Sequence, residues 1–238
     1  MEKNEFNSIG IDGRLDWARI KKLFSIGLFA AILTLIADMM LGWGIQDESL
    51  SGIPRMFSAY RHASNQMLFA VAVLGMLGII LEGLCYFGIY RLMAEGSPKH
   101  AHNYRTGILG YIMFGPCGFH IGVCATMFLY RSLTEAGAAN VMETIDQFVD
   151  YFFVPPFVLF WIFFLILAVT QISAFVKGLT PYPKWCAVFS LPVGMILAMA
   201  FGVFGNHAWV NAITCAWISV GNIWMFTGLL LTMKQAEN

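Results

Sequence analysis

The chain has 238 residues, 58% of them hydrophobic and only 12% charged, with a mean hydropathy of +0.69. Soluble domains are about 45 to 50% apolar and about 25% charged, so an ordinary soluble domain, which must cover itself with polar groups, is excluded. Lys and Arg total 14 and so do Asp and Glu; with no net charge there is no basic field to recruit nucleic acid.

In chain order, Asp12 to Lys22 mixes Leu15, Trp17 and Ile20 with Arg14, Arg19, Lys21 and Lys22, the pattern of an amphipathic lead on the inner leaflet. Apolar windows follow at about Leu23–Trp43, Met67–Tyr90, Gly107–Tyr130, Tyr151–Phe175, Trp185–Phe204 and Ala208–Thr232. Each approaches the ~20 residues a helix needs to cross the hydrocarbon. The pattern predicts an all-α membrane protein: one integral membrane domain, a bundle of six transmembrane helices. The first window is too long for a signal-peptide core and lacks a small-residue cleavage site, so it reads as a retained helix.

Orientation follows from the cations. With a cytoplasmic N-terminus, 11 of the 14 Lys and Arg lie inside, leaving Arg55, Arg61 and Arg131 outside. The expectation is a plasma-membrane protein with both termini cytoplasmic. Trp17, Tyr90, Tyr104, Tyr182 and Trp185 then mark the inner interface, and Trp43, Tyr130, Tyr151 and Trp209 the outer one. The longest connections, Gly44 to Met67 and Arg131 to Asp150, fall outside. The five cysteines, Cys85, Cys117, Cys124, Cys186 and Cys215, lie in or beside apolar runs and read as reduced, buried thiols, not a disulfide framework.

Function is sought where the bilayer tolerates polarity least. Ionisable groups inside spans are costly and are functional candidates by default. Asp38 lies shallowly below the outer interface; Glu82, in the second window, and His120, in the third, are both near the midplane. A Glu82 to His120 pair is geometrically allowed, and its bland role is a neutral acid bonded to a neutral imidazole that joins two helices. On a wheel of 100° per residue, Gly110, Met113, Cys117, His120, Cys124 and Met127 share one stripe of the third helix, with Pro116 breaking the ladder beside it. Such sulfur and imidazole donors suit Cu(I), or zinc with a carboxylate. The bland reading is gap-filling at a helix interface.

In the last window His207, Asn211, Thr214, Cys215 and Asn222 fall within one arc and Trp209, Ile213, Trp217 and Trp224 opposite, which predicts a continuous cavity-lining stripe. Phe114 to His120 and Phe201 to His207 share F-G-x-x-G-x-H, with glycines that permit close approach. Near the outer surface Arg61, His62, Asn65, Gln66, Asp150, Asn206 and His207 form a polar tier with Asp38. There, Asp38 and Arg61 are the expected ion pair, and Asp38, His62 and His207 an alternative zinc set.

The segment Ala37 to Gly44 (ADMMLGWG), Glu82, and Gly118-Phe119-His120 together resemble uncharacterised bacterial multi-pass membrane proteins grouped as domains of unknown function. The resemblance covers most of the chain and implies a bacterial inner-membrane protein with no assigned activity. The ceramidase and adiponectin-receptor hydrolases share histidines and a carboxylate, but their late HxxxH is missing here. Rhomboid proteases share six core helices, but their GxSG is missing.

Three functions compete. The first is a polar intramembrane cavity that opens outward and binds or transports a small or lipid-like ligand, with Asp38, Arg61, Asn65, Glu82, His120, Asp150, His207, Asn211 and Asn222 as candidates. The second is a structural or partner-binding subunit. The third is a metal-dependent membrane hydrolase drawing on Asp38, His62, Cys117, His120, Cys124 and His207, with heme on His120 and a second histidine as a variant. No motif requires a cofactor, and the partners expected are the bilayer and a ligand, not nucleic acid.

Overall fold

A computed structural model describes residues 15–60 and 63–237, and among these every regular element is helical. Helix α1 runs Trp17–Gly42 and starts at Asp16, whose Oδ1 accepts from the Arg19 amide at 2.9 Å. That is an N-cap, in which a short side chain satisfies an amide without a helical partner. The described part of the amphipathic lead is therefore continuous with α1 and not a separate surface helix. A short α2 (Gly52–Ser58) follows in the first loop.

Helices α3 (Asn65–Cys85) and α4 (Phe87–Gly96) join at Tyr86 into one stretch of 32 residues. Helix α5 (Pro98–Phe114), a π-helical turn at Gly115–His120 and α6 (Ile121–Glu135) form a second stretch, of 38 residues. Its start, earlier than the apolar window suggests, is set by Pro98 in the first helical turn, where a missing N–H costs nothing. Helix α7 (Val141–Phe148), a π turn at Val149–Phe153 and α8 (Val154–Val176) form a third, of 36 residues, which is followed by Gly178 at φ 69°.

The last two windows depart from the expectation. The fifth is broken into a 3-10 turn (Lys184–Val188), α9 (Leu191–Ala200) and a second 3-10 turn (Phe201–Phe204). Pro183 precedes the first 3-10 turn, Pro192 stands in the first turn of α9, where a missing N–H costs nothing, and Gly205 ends the window at φ 86°. The sixth is bent by 64° between α10 (Ala208–Cys215) and α11 (Trp217–Glu237). Among the described residues, four stretches are long and apolar enough to cross a membrane, and five if the bent pair counts as one. Large apolar side chains such as Phe29, Phe69, Leu109, Met113, Phe152, Val169 and Leu231 stand exposed on these helices. That surface is compatible with membrane insertion.

Helix α1 is central, packed on α3, α4, α10 and α11, while α5 packs on α8 and α9 on α11. Two apolar clusters result. The larger gathers Phe24, Tyr86, Tyr104, Tyr111, Phe160, Phe226 and their neighbours; the smaller gathers Ala37, Leu41, Phe57, Val71, Cys124, Met127 and Tyr130. The candidate site lies where they meet.

Candidate functional site

The site begins with a proline. Pro116 has no amide to give the preceding turn, and the chain widens there into the π turn, with the Ile121 amide donating to the Pro116 carbonyl five residues back. One extra residue in a turn rotates everything beyond it by on the order of 100°. The single stripe expected from Gly110 to Met127 is thereby split. Met113 and Cys117 face outward, whereas His120, Cys124 and Met127 face the interior. Both histidine-proximal glycines serve other neighbours, Gly115 meeting Ile79 and Gly118 meeting Pro156. The glycine that makes room for His120 is Gly75 of α3, where any Cβ would overlap the imidazole.

His120 is buried, and its Nε2 lies 3.0 Å from the Val71 carbonyl. A carbonyl can only accept, so Nε2 carries a proton, and in the neutral ring Nδ1 is then the free position. Nδ1 faces Asp38 Oδ1 of α1 at 3.6 Å, and Asp38 Oδ2 accepts from the Ser219 hydroxyl of α11 at 2.5 Å. These groups line a cavity of about 80 Å³, completed by Thr34, Tyr111, Phe119, Phe160, Cys215 and Trp217 among others. With one imidazole nitrogen on a backbone carbonyl and Asp38 between the histidine and the serine, the arrangement differs from a hydrolase triad, in which the histidine lies between serine and aspartate.

Beside the cavity is a second buried polar cluster. Glu82 Oε2 accepts from Tyr111 Oη and Asn222 Nδ2, each at 2.8 Å, and Asn222 Oδ1 accepts from Tyr86 Oη at 2.6 Å. Glu82 and Asn222 are fully buried. The expected Glu82 to His120 pair is thus replaced by two separate partnerships, Asp38 with His120 and Glu82 with Tyr111 and Asn222. Azimuth as well as depth decides pairing, and the π turn sets the azimuth of His120.

The outer candidates lie apart from the cavity. Asn206 accepts from the Gln46 amide and donates to the Gln46 carbonyl and to Glu48, and Asn211 donates to the Gly44 carbonyl and to Asn206. The two asparagines therefore clamp the loop after α1. His207 is exposed at the start of α10, its ring parallel to Trp209. The expected continuous stripe on the last helix fails because the bend at Ala216 separates Asn211 from Asn222. Asp150 is exposed on the π turn before α8. Asn65 accepts from Arg131, which also donates to the Ala63 carbonyl and lies 3.5 Å from Glu135. Arg131, expected as a loop cation, is a buried tie between α6 and the start of α3. Arg61 and His62, and with them the Asp38 to Arg61 pair, lie outside the described residues. Among the described residues no three His, Cys, Asp or Glu side chains gather as a metal set; Cys117 and His207 are exposed, whereas His120 is buried.

Sequence reasoning missed Thr34, Tyr86, Tyr111 and Ser219. A signal was present for three of them: Thr34 precedes Asp38 by four residues, Tyr86 follows Glu82 by four, and Ser219 precedes Asn222 by three, so each shares a helix face with a candidate.

An all-helical chain with several apolar helices and a polar centre has the character of a membrane protein. By its sequence the chain belongs to a family of unknown function, DUF6796, whose model matches residues 1–236. Comparison with curated proteins gives no match, and comparison with solved structures gives none.

Proposed function

We propose that the protein is a multi-pass membrane protein that binds, and carries across the bilayer, a small hydrogen-bond-donating solute of about ammonium size. One observation carries this reading. Two acceptors, Asp38 Oδ1 and the free His120 Nδ1, face each other at 3.6 Å on the cavity wall, a separation too long for a hydrogen bond and suited to a donor that touches both. The lone pairs of Thr34 and Ser219 add acceptors, and Phe119, Phe160 and Trp217 complete an aromatic wall. Volume favours the smaller of the two ligand classes expected. The cavity is about 80 Å³, enough for a few water-sized molecules, while pockets for drug-sized organic ligands take ~300 Å³ or more. These dimensions support a small solute over a lipid.

In the proposed arrangement the chain crosses the plasma membrane six times, α9 with its flanking 3-10 turns making the shortest crossing. Both termini are cytoplasmic, as the 11 to 3 division of cations supports, and the cavity opens toward the outer face. The likeness to bacterial multi-pass proteins supports a bacterial inner membrane. The structural-subunit reading is favoured at the outer tier alone, where Asn206, Asn211 and Arg131 are bonded to backbone carbonyls of other elements and lock loops in place.

Methylammonium is the probe. In proteoliposomes the wild type is expected to take it up saturably and to be stabilised by it against heat, and Asp38→Asn to lower uptake at least tenfold while eluting as a folded species. Absence of both uptake and stabilisation in the wild type overturns the proposal.

A further inference from the structure

The cavity does not account for Glu82. Both donors that reach this carboxyl land on Oε2, and Oε1 is buried with no hydrogen-bond partner. An ionised oxygen in that position leaves charge uncompensated in a medium that stabilises it poorly. A carboxylic acid fits the same geometry: Oε2 is the carbonyl oxygen accepting two bonds, and Oε1 bears the proton. From α1 the Thr34 hydroxyl faces this carboxyl. It lies over Gly78, so closely that a Cβ there would displace it, and it donates to the Ala30 carbonyl, which leaves its lone pairs free. Thr34 also lines the cavity that holds Asp38 and His120. The titratable groups acting on Glu82 among the described residues are Asp38 from α1, Tyr111 from α5, and Cys85 and Tyr86 at the joint of α3 and α4; α11 brings the neutral Asn222.

We propose that Glu82 is a proton-storing site connected through the Thr34 hydroxyl to the Asp38 and His120 cavity, so that solute exchange is coupled to proton movement. In the transfer the Glu82 Oε1–H bond breaks and Thr34 Oγ1 takes that proton. Thr34 turns its own hydroxyl proton from the Ala30 carbonyl to a water in the cavity, and that water passes one proton to Asp38 Oδ1 or His120 Nδ1. Threonine and water end as they began, Glu82 gains one negative charge, and the Asp38 and His120 pair gains one positive charge. The inference rests on reading the cavity as the solute site.

Infrared difference spectroscopy of the full chain in lipid, with no solute present, tests it. The carbonyl band of a protonated carboxylic acid is expected to shift on transfer from H2O to D2O, to vanish in Glu82→Gln and to persist in Asp38→Asn. Thr34→Val, which keeps shape and removes the hydroxyl, is expected to slow the deuterium shift at least tenfold even if Glu82→Gln does not fold. A band unaffected by Glu82→Gln, a band that never shifts in D2O, or a shift equally fast in Thr34→Val overturns the proposal. Because methylammonium is absent, an exchanging Glu82 band beside a failed uptake assay supports the proton site and removes only the solute.

Discussion

His120 is placed by its neighbours more than by its own helix. The ring occupies space that only a glycine at position 75 leaves, and its Nε2 bond to Val71 turns Nδ1 toward Asp38. Gly75→Ala therefore forces the imidazole off both partners. Overpacking a fitted interior costs about 1–3 kcal/mol, so thermal unfolding in detergent is expected to show that loss together with lost methylammonium stabilisation. Unchanged stabilisation by methylammonium in a folded Gly75→Ala protein would separate the solute from the His120 position. At this scale the sequence singles out Asp38, Glu82 and His120, because ionisable groups are costly in an apolar span. It was uninformative about who pairs with whom, since pairing depends on the rotation of each helix about its axis.

At the scale of the element, the π turn is the feature that changes the chemistry. A π turn is an α-helix with one residue too many, and the faces on either side keep their own partners: Gly107 and Gly110 against α8 before it, Cys124 and Met127 in the smaller cluster after it. Removing one residue inside the turn restores the α ladder without rotating either flank. Deletion of Cys117, which is exposed, is expected to leave a monodisperse, folded protein by size-exclusion chromatography. Deletion of Phe128 from α6, by contrast, rotates Tyr130 and Arg131 away from their partners and is expected to abolish folding. Equal damage from the two deletions would show that the turn is needed for folding itself. The broken last window follows the same logic. Thr214 donates to the Val210 and Asn211 carbonyls near the end of α10, and the bend at Ala216 lets α10 clamp the α1 loop while α11 delivers Ser219 and Asn222 to the interior.

For the molecule as a whole, the cation bias makes a definite statement about orientation. In sealed vesicles of known sidedness, a cysteine at Lys99 is expected to react with a membrane-impermeant maleimide from the cytoplasmic side and a cysteine at Ala138 from the opposite side. The reverse pattern would invert the proposed topology, and with it the direction in which the cavity opens. Labelling of both from one side would show that the stretch from Pro98 to Glu135 does not cross.

The sequence by itself determined that the chain is helical and apolar enough for a membrane, because low charge and long apolar runs are properties of composition and order alone. It also singled out Asp38, Glu82 and His120, because the cost of burying them does not depend on their partners. Tertiary structure decided the rest. It placed His120 with Asp38 and Glu82 with Tyr111 and Asn222, turned Cys117 outward, shortened α9 and bent the last window, because one extra residue at Pro116 and a break at Ala216 reset helix phase. Only packing against α1 and α3 fixes which phase brings Asp38, His120 and Ser219 to one cavity.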